Sequence, residues 1–186
     1  MSNNSHFVLK NVRCIFPKLF VAEEFGGKMR YSVGPLIEKD SPQHKRILEA
    51  IREVVVARFG ENAAAAKMRQ FSQNKTTWPL RETDDGNFLI TPKRMQEKGA
   101  PVVLDQRRQN IPIDANLPYA GCWINVSMDI YCYQSNGGGV TSYLNGVQLV
   151  KEDAPLAGAG SAINCRDEFD DLGDVGDVGD DSEDLF

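Results

Sequence analysis

From Trp123 to Tyr133 the chain alternates without a break. Ile124, Val126, Met128, Ile130 and Cys132 fall on one side, and Trp123, Asn125, Ser127, Asp129, Tyr131 and Tyr133 on the other. Successive side chains of a strand point to opposite faces, so this pattern predicts a strand with one apolar, core-facing side. The other side sets large rings among small polar residues, which makes an aromatic face directed toward water. Ser135 to Gly139 (SNGGG) predicts a turn and Val140 to Lys151 the return strand of a hairpin lying within Ala120–Lys151. Gly146 interrupts the return alternation. A β-bulge near Asn145–Gly146 restores it, with Leu144, Val147 and Leu149 on one face and Tyr143 on the other.

The remaining pattern supplies further strands and a helical insertion. His6–Phe16 (HFVLKNVRCIF) predicts a first strand, Pro17–Gly27 a connection, and Lys28–Lys39 a second strand, which Pro35 makes an edge or an interrupted one. Ser41 at N-cap, Pro42 at the first helical position and Gly60 at the far end bracket a helix. Its apolar stripe is Ile47, Leu48, Ile51, Val54, Val55 and Phe59. Glu61–Phe71 favours a second helix by composition. Asp84–Gly86 reads as a turn, Asn87–Thr91 and Gly99–Asp105 as short strands, and Gln106–Asn110 as a basic loop. Five or six short strands with helices inserted after the second predict a mainly β fold. It would be an OB-fold-like barrel with inserted α-helices over residues 1–155, a β-rich α+β sandwich being the other candidate.

Charge changes this picture at the C-terminal end. Residues 167–186 contain ten acids and no base, out of 26 acids in the chain; the remaining 16 face all 21 Lys and Arg. The net charge of −5 therefore combines a body near +5 with a tail of −10. Ala154–Ala162 is a flexible linker by composition, and the tail that follows has too little apolar surface to fold, so residues 156–186 are expected to be a linker and a disordered acidic tail. The tail ends Asp180, Asp181, Ser182, Glu183, Asp184, Leu185, Phe186. A terminal Leu-Phe is not needed for solubility, and an acidic-hydrophobic terminus suits a basic-rimmed apolar pocket on a partner protein. The same charges can compete with phosphates for a basic groove of their own chain.

The candidate chemistry favours binding over catalysis. No metal-protease, phosphate-loop or nucleophile-elbow motif occurs. Cys14, Cys122, Cys132 and Cys165 form no C-x-x-C pair, so neither a metal site nor a cofactor is expected, and the thiols are read as reduced. There is no long apolar run and no expectation of membrane association. Proteins that hold single strands combine a positive groove for phosphates with rings on which bases stack. Trp123, Tyr131, Tyr133 and Tyr143 supply rings on the hairpin. Trp78 and Phe88 interleave with Lys75, Arg81, Lys93 and Arg94, and Arg107 and Arg108 form a basic pair in a loop. Two other readings remain open. One is an assembly protein whose aromatic face is a subunit interface; the other is a metal-dependent nuclease using Asp105, Asp114 and Asp129.

The stretch YAGCWINVSMDIYCY, its turn and the return SYLNGVQLVKEDAPL, followed by a linker and an acidic tail ending in Phe186, resemble the replicative, OB-fold single-stranded DNA-binding proteins of bacteriophages. The likeness is loose over Asn11–Pro155 and strong over Tyr119–Pro155. It implies an OB-fold and sequence-tolerant binding of single-stranded DNA during phage replication and recombination. It also implies contacts to replication proteins through the tail, and leaves a homodimer open. Separately, phosphate contacts discriminate little between strands, so weaker binding of duplex is open. The absence of a signal peptide and of a long apolar run gives the host cytoplasm as the expected location.

Overall fold

The computed structural model describes residues 4–156. Its element order is β1 (Asn4–Phe25), β2 (Lys28–Ile37), α1 (Pro42–Phe59), α2 (Glu61–Ser72), β3 (Leu80–Glu82), β4 (Phe88–Ile90), β5 (Lys93–Met95), β6 (Val102–Leu104), β7 (Trp123–Tyr133) and β8 (Gly139–Lys151). β1 pairs with both β2 and β7, β7 with β8, β8 with β5 in parallel, and β5 with β2. Those pairings close a ring of five strands. In chain order the ring reads first, second, third, fifth, fourth and back to the first, which is the Greek-key barrel of an OB-like fold. β3 and β4 extend the ring from β2, and β6 adds to β8.

The closure depends on β1, which is much longer than its sequence suggests. The expected connection over Pro17–Gly27 is instead strand as far as Phe25. Register shifts between Leu9 and Val12 and between Ile15 and Lys18 bend it, and Asn11 and Phe16 hold φ of 51° and 48° there. Bulges of this kind turn a strand without ending it, so Asn4–Arg13 can pair with β7 while Arg13–Phe25 pairs with β2. Pro17, which suggested a break, falls inside the second irregularity, where its missing N–H leaves no ladder bond unmade. Pro35 acts in the same way on β2, whose register passes from β5 at Arg30–Ser32 to β4 at Leu36–Ile37.

Among the described residues eight strands form where five or six were expected; the three-residue β3 and β5 lie in a stretch without legible periodicity. The hairpin is as its pattern predicts: Ser127 pairs with Gly146 and Met128 with Leu144, which leaves Asn145 as the bulged residue. Ile124, Val126, Met128, Ile130 and Cys132 are fully buried, together with Leu144, Val147 and Leu149. α1 starts where Ser41 Oγ accepts the His44 backbone N–H at 3.1 Å, and ends at Gly60 with φ 81°. It lies along the first half of β1, with Ser5 Oγ donating to Glu53 at 2.7 Å and the Arg46 guanidinium 5.2 Å from the Phe7 ring. Ile47, Ala50, Ile51, Val54 and Val55 join the core that β7 faces. The helices thus cover the apolar side of the barrel wall and not its aromatic side.

Candidate nucleic-acid interface

The exit from α2 builds one wall of the site. Thr77 Oγ1 donates to Phe71 O at 2.8 Å, and Val140 N–H donates to Thr77 O at 2.9 Å. This ties the segment carrying Lys75 and Trp78 to the start of β8. Gly139 makes the approach possible, since a Cβ there would stand 2.5 Å from Tyr133 Oη and 3.0 Å from Thr77 Cα. Opposite this wall, Arg30 and Ser32 point outward from β2, and Ser32 pairs with Lys93, which in turn pairs with Tyr143.

Between the walls runs a groove of ≈ 350 Å³ lined by Arg30, Lys75, Arg81 and Lys93, by the rings of Phe25 and Trp78, and by the hydroxyls of Thr76, Thr91, Thr141 and Ser142. Among the described residues none of the four cations has a carboxylate partner. Burial, and then the nearby Arg30 and Arg81 charges, pull the Lys93 ammonium below its ordinary 10.5. Burial and Arg81 lower Arg30 in the same way. Unpaired like charges gathered in a partly desolvated trough repel one another, and a bound polyanion relieves that repulsion. The trough lies on the face of the second and third barrel strands, where OB-like barrels receive oligonucleotides.

The site residues expected from sequence divide by place. Trp78, Lys75, Arg81 and Lys93 meet in the groove. Tyr143, Tyr131 and Tyr133 continue from it along the outer face of β7 and β8; the Tyr131 and Tyr143 rings are 6.0 Å apart and Tyr143 is exposed. Trp123 is eight residues from Tyr131, about 26 Å along a strand. It is held there by Asp153, which accepts its Nε1–H at 2.8 Å, with Arg13 and Lys151 5.5 Å and 5.2 Å from the ring. The expected single aromatic platform is therefore two separate places, because a strand that long carries its ends to opposite rims. Phe88 stacks on the His44 ring at 4.2 Å. Arg94 donates to the carbonyls of Lys98 and Gly99 at 2.7 and 2.8 Å. Arg107 and Arg108 are exposed on the turn that Asp105 caps, beside Gln148 and about 17 Å along β8 from Tyr143.

Asp129, one of the three acids of the nuclease reading, binds His6 Nδ1 at 2.9 Å and Asn145 Nδ2 at 2.7 Å. Among the described residues no group of three or more His, Cys, Asp or Glu could hold a metal ion. No helix among them is long and apolar enough to cross a membrane. Asp180, Asp181, Glu183, Asp184, Leu185 and Phe186 lie outside the described residues. Phe25 and Arg30 were missed in the sequence. Arg30 alternates with the buried Tyr31 and Val33, which marks it as outward, but only the pairing of β2 with β5 shows that Lys93 is its neighbour.

The family described as "Enterobacter phage Enc34, ssDNA-binding protein" matches residues 5–184. The chain belongs to this family. Protein p50 of Acyrthosiphon pisum secondary endosymbiont phage 1 is 29% identical over 174 residues, 88% of this chain and 92% of that one. Among solved structures, the Enc34 single-stranded DNA-binding protein in complex with ssDNA is 21% identical with a TM-score of 0.60, over 81% of this chain and 89% of that one. The single-stranded DNA-binding protein gp2.5 of bacteriophage T7 is 20% identical with a TM-score of 0.55, over 94% and 100%. The Enc34 family and these two structures share the OB-like fold with the present chain.

Proposed function

We propose that the protein binds single-stranded DNA without sequence preference, as a coating protein in phage DNA replication and recombination. The observation that carries this reading is the groove in which Arg30, Lys75, Arg81 and Lys93 stand without acid partners among the described residues, beside exposed or half-buried rings. Phosphates would take the cations, and bases would stack on Trp78 and on the Tyr131–Tyr143 face. Stacking tolerates any base because each has a π face, and is worth about 1–3 kcal/mol per base. Membership of the Enc34 family supports the reading. The acidic tail would recruit replication proteins through Leu185 and Phe186, and compete with DNA for the groove.

Fluorescence anisotropy of labelled homopolymeric oligonucleotides at two or more salt concentrations tests the central statement. Contacts to four phosphates give a log–log salt slope of about −3 for a single strand. Absence of binding, or binding indifferent to salt, would refute it. The subunit-interface reading is separated by Trp123→Ala: it forecasts loss of an oligomer, whereas the single-strand reading, with Trp123 outside the groove, forecasts no change of oligomeric state.

A further inference from the structure

The tip of the β1–β2 hairpin carries a side-chain pair whose arrangement the fold does not require. Phe25 closes β1 and is 64% exposed, an unusual place for a large ring. The Arg30 guanidinium carbon stands 3.7 Å from the centroid of that ring. Across the strand pair Arg30 is opposite Glu23, yet Glu23 gives its carboxylate to Lys18 at 2.5 Å. Among the described residues, no carbonyl or carboxylate accepts any of the Arg30 N–H groups. A guanidinium has five such donors in a planar fork suited to phosphate. Among the described residues Arg30 is thus a partly buried cation with a ring for company and its hydrogen-bonding capacity unused.

We propose that Phe25 and Arg30 together form a receptor for one nucleotide, the guanidinium taking a phosphate and the ring taking the adjacent base, and that in the free protein each occupies the other's binding surface. This rests on reading the groove as the single-strand site. The exchange is favourable on general grounds. An exposed cation–π contact is weaker than base stacking combined with a charge-assisted, forked bond to phosphate. Departure of the guanidinium from the ring also relieves its proximity to Arg81, since the phosphate neutralises it. The position fits, because both residues line the same groove as Trp78, Lys75 and Lys93. A strand entering past the hairpin tip therefore meets Phe25 first. The ring's exposure, idle in an isolated barrel, then has a role.

The test is anisotropy with full-length protein and labelled oligo(dT) over a salt series, comparing wild type, Phe25→Ala, Arg30→Gln and Lys93→Gln, with thermal melts of each to establish the fold. Phe25→Ala should weaken binding about fivefold or more while leaving the salt slope at the wild-type value. Arg30→Gln should weaken binding and reduce the slope by about 0.7, the contribution of one phosphate on a single strand. The proposal is overturned if Lys93→Gln weakens binding while Phe25→Ala and Arg30→Gln both bind as wild type, or if Phe25→Ala lowers the slope as Arg30→Gln does. Failure of the wild-type protein to bind would instead remove the groove reading on which the proposal stands.

Discussion

Lys93 shows how a single residue can report on the whole site. It belongs to a three-residue strand, pairs with Ser32 on one side and Tyr143 on the other, and stands among Arg30 and Arg81 with its ammonium destabilised by burial first and by those charges second. Its folded value is lowered while the unfolded value stays near 10.5. Between the two the unfolded chain binds more protons, so this group's contribution to stability rises with pH through that window. DNA affinity should move the other way, because the deprotonated amine no longer meets a phosphate. Titrating oligonucleotide binding toward alkaline pH should show a loss beginning below 10.5 in the wild type and largely absent in Lys93→Arg, whose charge persists. The core residues make a separate forecast. Met128 is fully buried on the inward face of β7, and Met128→Ala should cost about 2–5 kcal/mol in denaturant unfolding. Its outer neighbour Ser127 should tolerate change far better.

At the scale of elements, the barrel closes because β1 bends at its register shifts and serves two partners. Legibility in the sequence followed length and periodicity. β7, β8 and α1 carry runs long enough for alternation or a helical stripe to stand out, and each forms where its pattern places it. β3 and β5 are three residues long, too short for any period, and exist because neighbouring strands offer unpaired edges. The second half of β1 was hidden by Pro17, since a proline inside a bulge looks from sequence like a proline ending a strand. The tether between α2 and β8 belongs to this scale as well. Gly139→Ala drives a methyl into the Tyr133 ring and toward the Thr77 backbone. Stability should then fall by about 1 kcal/mol, and oligonucleotide affinity should fall several-fold as Lys75 and Trp78 are displaced. A thermal melt read beside an anisotropy titration separates the two effects, and unchanged affinity would show that the tether does not position the groove.

Across the whole molecule the dominant feature is the opposition of a body near +5 and a tail of −10. Removing residues 167–186 should tighten DNA binding at low salt, and the gain should shrink as salt rises, since charges are screened over about 10 Å at 0.1 M and about 3 Å at 1 M. Equal affinity of the truncated and full chains at low salt would show that the tail leaves the groove free. This charge division is fully present in the amino-acid sequence, because composition needs no geometry. The inward face of the β7–β8 hairpin and the brackets of α1 are equally present, since both follow from local periodicity and capping. The sequence also named Trp78, Lys75, Arg81 and Lys93, because cations interleaved with rings can be counted along a line. Only the tertiary structure brought Arg30 and Phe25 to them and carried Trp123 to the far rim. Neighbourhood across a barrel is set by strand register and closure. These arise from pairings between residues far apart in the chain, and no local pattern encodes them.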